Sequence, residues 1–587
     1  MKFKKLAALA VSAMLIAGCS TGGGTGDGAT FKAGTYEGSA AGFNGDLKVE
    51  VVLSDEAIDS VTVTENSETE GIGSKAVETL PQAIVDAQSV DVDSVSGATV
   101  SSEAIKAAVT MALEAAGVDV ASLKPVVSGP VEKEDKTMDV DVVIVGAGGA
   151  GMSAAITAAE EGKKVLLIEK APMVGGNTSR ATGGMNAAET KYQKEAGIED
   201  SVDLFVEDTM TGGHNLNNEE LVRTLAENSA SAIDWMDSIG AHLNDVGKAG
   251  GASVSRSHRP LDENGKILSV GSYLVPIMEK ACADKGVEIM LETEATEIIM
   301  KDGQAVGVKA ESKTANLTVN AKSVIITTGG FGGNLDMVVE YKPELKGYVT
   351  TNAPTITGDG IKMLEAAGAD FVDMDQIQIH PTVVQSNGAL ITESLRGDGA
   401  ILINNEGKRF TNEILTRDVV SANVIAQPGS TAWLIVDDAM YQDSTVIQGY
   451  VNKGYMTKAD TIEDLAKVMN VDAAVLQETM DAWAADIAAQ TDAEFGRDDL
   501  AEVKYHLDTA PYYAVMIAPG IHHTMGGVKI DTSAEVLDKD GNVIPGLFAA
   551  GEVTGGVHGG NRLGGNAVAD IVVFGRIAGA NAAAYAK

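Results

Sequence analysis

Hydrophobic positions in this chain recur at two spacings, and the spacings predict its elements. Val142–Val145 is a short β-branched apolar run, the pattern of a strand buried on both faces. A helix opening near Ala150 follows, and Val165–Ile168 is a second such run. Two later runs, VIITTGGF at 324–331 and GLFAAGEVTGG at 546–556, again end in glycines, which predicts strands returning to one sheet from distant sequence. Nearer the N-terminus, Thr35–Asp55 alternates like a hairpin turning at Asn44-Gly45, and Ile58–Thr64 continues as a strand. Ser74–Ala87 and Ser101–Ala116 change to helical spacing. Strands near Leu402 and Trp433 precede a helical stretch, Thr461–Gln490. The class is α/β, with a small α+β unit ahead of it.

The turn after Val145 carries chemistry. Gly146, Gly148 and Gly151 form G-x-G-x-x-G between strand and helix. The first glycine turns the chain, the second admits a pyrophosphate, and the third lets helix lie on strand. The helix N-terminus directs N–H groups and positive dipole at phosphate. Glu169 ends the next strand about 20 residues on, where a carboxylate meets a ribose hydroxyl. It suits an unphosphorylated ribose, hence FAD or NAD. Gly175-Gly176-Asn177-Thr178 and Gly183-Gly184 follow as further turns suited to wrapping a dinucleotide.

Composition narrows the class. At 587 residues the chain holds two to four domains, and a net charge of −39 argues against nucleic acid and anionic lipid as charge partners. Lys2, Lys4 and Lys5 precede an apolar run, Leu6–Gly18, too short to span a bilayer. Residues 1–19 read as a signal peptide, and Ile16-Ala17-Gly18-Cys19 resembles a bacterial lipobox, implying lipid on Cys19. A plain signal peptide with an incidental cysteine is the alternative. Residues 20–30 are a Gly/Ser/Thr tether. With Cys19 lipidated, Cys282 has no partner, so no disulfide is expected within the chain. No C-x-x-C-H, metal-ligand spacing or other long apolar segment is read.

Within 31–123, D-S-V-S-G-A-T at 93–99 resembles the attachment site of extracellular FMN-binding domains. In that family a flavin transferase esterifies the FMN phosphate to the threonine, here Thr99. By spacing alone, Thr99 or Ser101 is equally an N-cap. Residues 124–137 read as a linker.

From 138 onward the resemblance is to the soluble FAD-dependent fumarate reductases of flavocytochrome type, within the succinate dehydrogenase flavoprotein family. It rests on GGNTSRATGGMNAAET, GGASVSRSHRP, TGDG at 357–360, IHPT at 379–382, ITESLRG at 391–397, RFTNEILTRD at 409–418, HHTMGG at 522–527 and HGGNRLGGNA at 558–567. The resemblance implies a Rossmann-like two-dinucleotide-binding FAD domain in two parts, 138–371 and 521–587, with an α+β clamp inserted at 372–520. For FAD, held without a covalent bond, it implies Gly146, Ala147, Gly148, Gly151, Glu169 and Lys170 around the first turn. Gly176, Asn177, Thr178, Gly183, Gly184, Ala295, Thr328, Gly329, Gly330 and Asp359 follow, then His522, Glu552, Arg562, Gly565, Asn566 and Ala567. It assigns His523 and Arg562 to one substrate carboxylate, His380 and Thr392 to the other. Arg417 matches the proton donor, with Glu393 and Arg396 as its relay. An arginine is an unusual acid, since free arginine ionises above ~12, so a relay must restore its proton. Leu390 and Ala249 depart from the family, where methionines line the substrate.

The reading is therefore an extracytoplasmic, lipid-anchored reductase passing electrons from covalent FMN to FAD and, as hydride, to fumarate. A membrane electron-donor chain, quinol- or flavin-based, is the implied source. The alternative is another unsaturated acid, acrylate-, urocanate- or cinnamate-like. An electron-transfer module without its own substrate, or an oxidase of the aspartate oxidase kind, fits less well.

Overall fold

The computed structural model describes residues 31–43, 45–68, 73–95, 98–123 and 133–587. The signal peptide with Cys19, the tether, Asn44 of the hairpin turn, Ser96-Gly97 and most of the linker lie outside them, as does the side chain of Thr99. The chain forms two compact units, a small N-terminal one and a large one that takes in Ser128–Lys587.

In the small unit, strands β1 (Gly34–Ala41), β2 (Asp46–Leu53) and β3 (Ile58–Glu65) form an antiparallel sheet in the order of the chain. Leu47, Val49, Val51 and Leu53 face inward at period two. Helices α1 (Gly73–Ala87) and α2 (Thr99–Ala115) follow. Helix α2 starts two residues before the periodicity suggested, so Thr99 is its first residue. Glu68 accepts the Phe43 N–H at 2.8 Å and a hydrogen bond from Ser101, tying the hairpin end to α2.

In the large unit, β4 (Glu134–Val145), α3 (Gly149–Glu160) and β5 (Val165–Ile168) occupy the predicted places. Strand β4 begins inside the segment read as linker. Its polar first half pairs in parallel with Ala315–Asn320, so backbone pairing rather than apolar pattern extends it. Strands Ala315–Ile326 and Val543–Ala549 do return to the same sheet. Val324–Ile326 is flanked in parallel by Val143–Val145 and by Leu547–Ala549.

A second sheet gathers Ile377–Val384, Ile401–Ile403, Ala432–Asp437 and Tyr512–Thr524, with its own hydrophobic cluster from Ile391 to Ile517. Strand Tyr512–Thr524 runs unbroken through residue 520, carrying the chain from this lobe back toward the flavin side. The Thr461–Gln490 stretch is two helices, Ile462–Met469 and Ala473–Ala489. They are broken where Asn470 is left-handed and Asp472 caps the second.

Helix Asn566–Tyr585 is long and apolar enough to cross a membrane, which the sequence reading passed over. Most of it is buried, and Gly575 and Gly579 let it lie directly on the backbone of α3 at Ala150 and Ala154. Its apolarity is that of a core helix.

Candidate active site

The strand ends of the parallel sheet open on a cleft of about 790 Å³. Val145, Ile168 and Thr327 form its floor, the N-terminus of α3 one wall, and Thr293, Ala295, Ile356 and Met363 another. The three motif glycines divide the work as expected. A Cβ on Gly146 would press on the Thr327 carbonyl, and the residue's φ of 102° is one that L side chains rarely adopt. A Cβ on Gly148 would meet nothing nearer than 3.9 Å, so it would intrude on the cleft itself. A Cβ on Gly151 would overlap the Gly146 carbonyl.

The Glu169 carboxylate accepts the Ala147 N–H at 2.9 Å and the Ala171 N–H at 2.8 Å. Burial raises its pKa despite these bonds, and each oxygen keeps a lone pair for a sugar hydroxyl. Lys170 bonds Thr357 at 2.7 Å and pairs with Asp359. The glycine cradle and the acidic end both fit FAD.

Twelve of the residues named for FAD line this cleft: Gly146, Gly148, Glu169, Lys170, Gly176, Asn177, Thr178, Ala295, Thr328, Gly329, Asp359 and Glu552. Ala147, Gly151, Gly183, Gly184, Gly330, His522, Arg562, Gly565, Asn566 and Ala567 are not among its walls. Several of these have packing roles. A side chain on Gly330 would overlap Thr524, one on Gly184 would meet Ser257 and the His258 carbonyl, and one on Gly565 would overlap Asn186. Asn566 bonds Asn186 at 2.7 Å. Gly149 and Ile571 line the cleft and went unnamed; the doubled glycine was the available signal.

Beside the cleft, four arms bring a second group together. Strand Ile377–Val384 carries Gln378 and His380, and strand Tyr512–Thr524 carries His522 and His523, with Gln378 opposite His523 in the register. The first helical turn after Thr416 supplies Arg417, and the loop before helix Asn566–Tyr585 supplies Arg562. One Glu393 oxygen, Oε2, accepts from Arg417 Nε at 2.7 Å and Nη2 at 2.5 Å. The other, Oε1, faces Arg396 Nη2 at 3.4 Å. Gln378 accepts from Arg417 Nη1 at 3.0 Å and donates to the Arg562 carbonyl at 2.8 Å, joining the two arginines. Gln378 was missed, although it shares a strand face with His380 two residues on.

Apart from the half-buried His522, these side chains are buried, which sets their charge states. Burial alone would raise Glu393, but Arg417 and Arg396 outweigh it and hold it below the ordinary carboxylate value. Burial, then Arg417, pushes Arg562 down to about 9. Burial and the neighbouring arginines push His380, His522 and His523 well below the usual imidazole range, so all three are neutral near pH 7. Burial raises Glu552, whose Oε2 lies 3.5 Å from His523 Nδ1.

The Thr382 N–H donates to His380 Nδ1 at 3.2 Å. That places the His380 proton on Nε2, a buried donor with no protein partner among the described residues. Arg562 Nε is a second such donor, and His523 Nε2 is equally buried and without a protein partner among the described residues. Buried polar atoms are normally satisfied, so three unmet ones beside an arginine cluster suit an anion. Thr392 stands apart. Its N–H donates to the Tyr450 hydroxyl at 3.0 Å, its own hydroxyl meets Ser394 at 3.2 Å, and it lines a separate small cavity with Thr182.

A dinucleotide cradle beside a desolvated, cation-rich pocket defines a flavin-dependent oxidoreductase. Comparison with known proteins agrees. The FAD binding domain model matches residues 141–568 and the FMN-binding domain model residues 42–114. The NADH:fumarate oxidoreductase of Klebsiella pneumoniae (strain 342) is 41% identical over 560 residues; the match takes in 95% of this chain, which spans only 59% of that longer protein. The urocanate reductase of Eggerthella lenta is 36% identical over 597 residues, covering 98% of this chain and 96% of that one. The open conformation of a flavocytochrome c3 fumarate reductase superposes with a TM-score of 0.63 at 44% identity, over 78% of this chain and 79% of that one. The chain belongs to the FAD-binding flavoprotein family, with an FMN-binding domain ahead of it. It is an oxidoreductase acting on the CH–CH group.

Proposed function

We propose that this protein reduces the C=C bond of an unsaturated carboxylate, with fumarate giving succinate as the first reading. The observation that carries it is one buried site holding Arg417, Arg562, His380 and His523, with Glu393 bonded directly to Arg417. FAD in the cleft would supply hydride to the β-carbon, fed with electrons by FMN on the small domain. The chain's own residues do the rest. Arg562 and His523 hold one carboxylate by charge and by an unpaired N–H. His380 Nε2–H holds the other, with Thr392 beyond it. Arg417, fixed by Glu393 and Gln378, donates a proton to the α-carbon, and Glu393 with Arg396 restores it. In a dry pocket each of these interactions is stronger than in water.

A second reading, a larger or singly charged acid, is supported by Leu390 and Ala249 where the resembled family has methionine, and by the urocanate reductase relative. The FMN is proposed to be esterified to Thr99 by a flavin transferase, and the mature chain to be anchored by lipid on Cys19 outside the cytoplasmic membrane, drawing on a membrane electron-donor chain. The test is a panel of unsaturated acids with dithionite-reduced methyl viologen, read as dye oxidation. Fumarate turned over well above acrylate, urocanate and cinnamate supports the first reading. A different preferred acid replaces fumarate with that acid, and no oxidation by any acid overturns the reductase reading.

A further inference from the structure

Arg180 lies outside the residues assigned above. It ends the short helical segment Gly176–Arg180, whose first residues line the flavin cleft. Two positions on, Thr182 lines the cavity it shares with Thr392. Arg180 Nη1 donates to the Thr351 carbonyl at 3.4 Å, and the Thr351 hydroxyl bonds His522 Nδ1 at 2.8 Å. The His522 ring meets His380 edge-on, with centroids 5.1 Å apart. Arg180 is thus one residue removed from His522 and two from His380.

Tyr455, near Arg180, packs beside Tyr450, the acceptor for the Thr392 N–H. Among the described residues no carboxylate pairs with Arg180, although the chain carries 83 acidic side chains against 44 basic ones. Solvent reaches the side chain, yet enough protein surrounds the guanidinium for burial to lower its pKa. An exposed cation joined through Thr351 to His522, with no carboxylate partner among the described residues of so acidic a protein, is placed to meet an incoming anion.

We propose that Arg180 is the capture residue at the open side of the substrate cleft, drawing the carboxylate in before Arg562 and His380 hold it. The inference rests on the reading of an anionic substrate. A capture charge acts on the approach, so it sets association and is screened by salt. One unit charge acting on a dianion about 10 Å away changes the encounter by about threefold at about 0.01 M salt, where the Debye length is about 30 Å.

The test compares the wild-type holoenzyme with Arg180→Gln and Arg180→Lys across ionic strength, using whichever acid the panel selects. It also follows succinate binding to the oxidised enzyme by flavin absorbance. Arg180→Gln is expected to lower kcat/KM and the association rate about threefold at low salt, with kcat and flavin content unchanged. The deficit should vanish at high salt, and Arg180→Lys should retain most of the wild-type rate. Wild-type values for Arg180→Gln at every salt concentration overturn the proposal. So does a fall in kcat or flavin content, which would make Arg180 a catalytic or flavin-holding residue. Failure of the anionic-substrate reading is seen separately, as a wild-type enzyme that turns over none of the acids.

Discussion

Gly564→Ala tests the relay without removing any charge. Gly564 has an ordinary backbone conformation, so alanine adds no backbone strain there. What it adds is a Cβ that would overlap Glu393 Oε2 and lie 3.1 Å from Ala249 Cβ. Gly250 closes the other side, where a Cβ would fall 2.7 Å from Glu393 Oε1 and 3.0 Å from the Leu415 carbonyl. The carboxylate sits between two glycines because only they leave it room. The clash is with the end of a side chain rather than with backbone, so the fold should survive, at an overpacking cost of about 1–3 kcal/mol. The oxygen that must move is the one bonded to Arg417 at 2.7 and 2.5 Å. Displacing a catalytic contact by about 1 Å costs on the order of a hundredfold. Gly564→Ala should therefore lower kcat about 10²-fold, with flavin content and KM near wild type, in steady-state dye oxidation. Gly449→Ala is the control. A Cβ there meets nothing within 4 Å inside helix Thr445–Asn452, so activity should be unchanged and stability level or slightly higher. A Gly564→Ala enzyme with full flavin and near-normal kcat would refute the view that the position of Glu393 governs proton supply.

Arg417→Ala should bind flavin and substrate yet lose about 10²–10⁴-fold in kcat, whereas Arg562→Ala should raise KM as well; unchanged kcat at saturation for Arg417→Ala would remove it as the acid. Thr99→Ala, expressed beside a flavin transferase, should lose FMN that survives denaturation while FAD still binds, read by absorbance of the denatured protein; retained FMN would exclude attachment at Thr99. Cys19→Ser should move the protein from membrane to soluble fraction on cell fractionation, and wild-type protein already in the soluble fraction would exclude the anchor. The buried histidines predict acid sensitivity. Their folded-state pKa values are depressed, so below pH ~6.5 the unfolded chain binds protons that the folded chain does not. Stability then falls with pH by up to about 1.4 kcal/mol per unit for each histidine. His380→Gln should flatten that slope in thermal melts between pH 7.5 and 5, and an unchanged slope would show that His380 is not held neutral.

What was legible in the sequence depended on how local its cause was. Val142–Val145 and Val165–Ile168 are central strands covered on both faces, so their apolar runs speak for themselves, and the three glycines between them follow a spacing that one short motif contains. The polar first half of β4 was illegible because only the backbone of Ala315–Asn320 makes it a strand. Helix Asn566–Tyr585 is apolar because it lies on α3, a partner some 400 residues away that no periodicity reports. The site divides likewise. Glu393, Arg396 and Arg417 were named through family resemblance, since spacing alone allowed surface ion pairs. Gln378, Gly250 and Gly564 were missed because what they touch is distant in sequence: Arg417 for the first, Glu393 for the two glycines.

Charge inside the pocket also bears on the substrate. The protein as a whole is strongly acidic, yet its buried centre collects the guanidinium groups of Arg396, Arg417 and Arg562 around Glu393. The three nearby histidines are neutral and add no positive charge. Burial raises the pKa of Glu552, whereas Arg417 and Arg396 hold Glu393 low, so Glu393 is the carboxylate that these arginines keep ionised. Glu413 also acts on Arg396, and Asp570 on Arg562. Gathering three guanidinium groups away from bulk water is costly, and an incoming anion relieves that cost. A dicarboxylate brings charge to both ends of the pocket, where Arg562 with His523 and His380 stand, and a singly charged acid leaves one end unmet, which supports fumarate over acrylate. Leu390 and Ala249, where the resembled family has methionine, work the other way, toward a larger acid, while Arg417 and its relay stay the same for either.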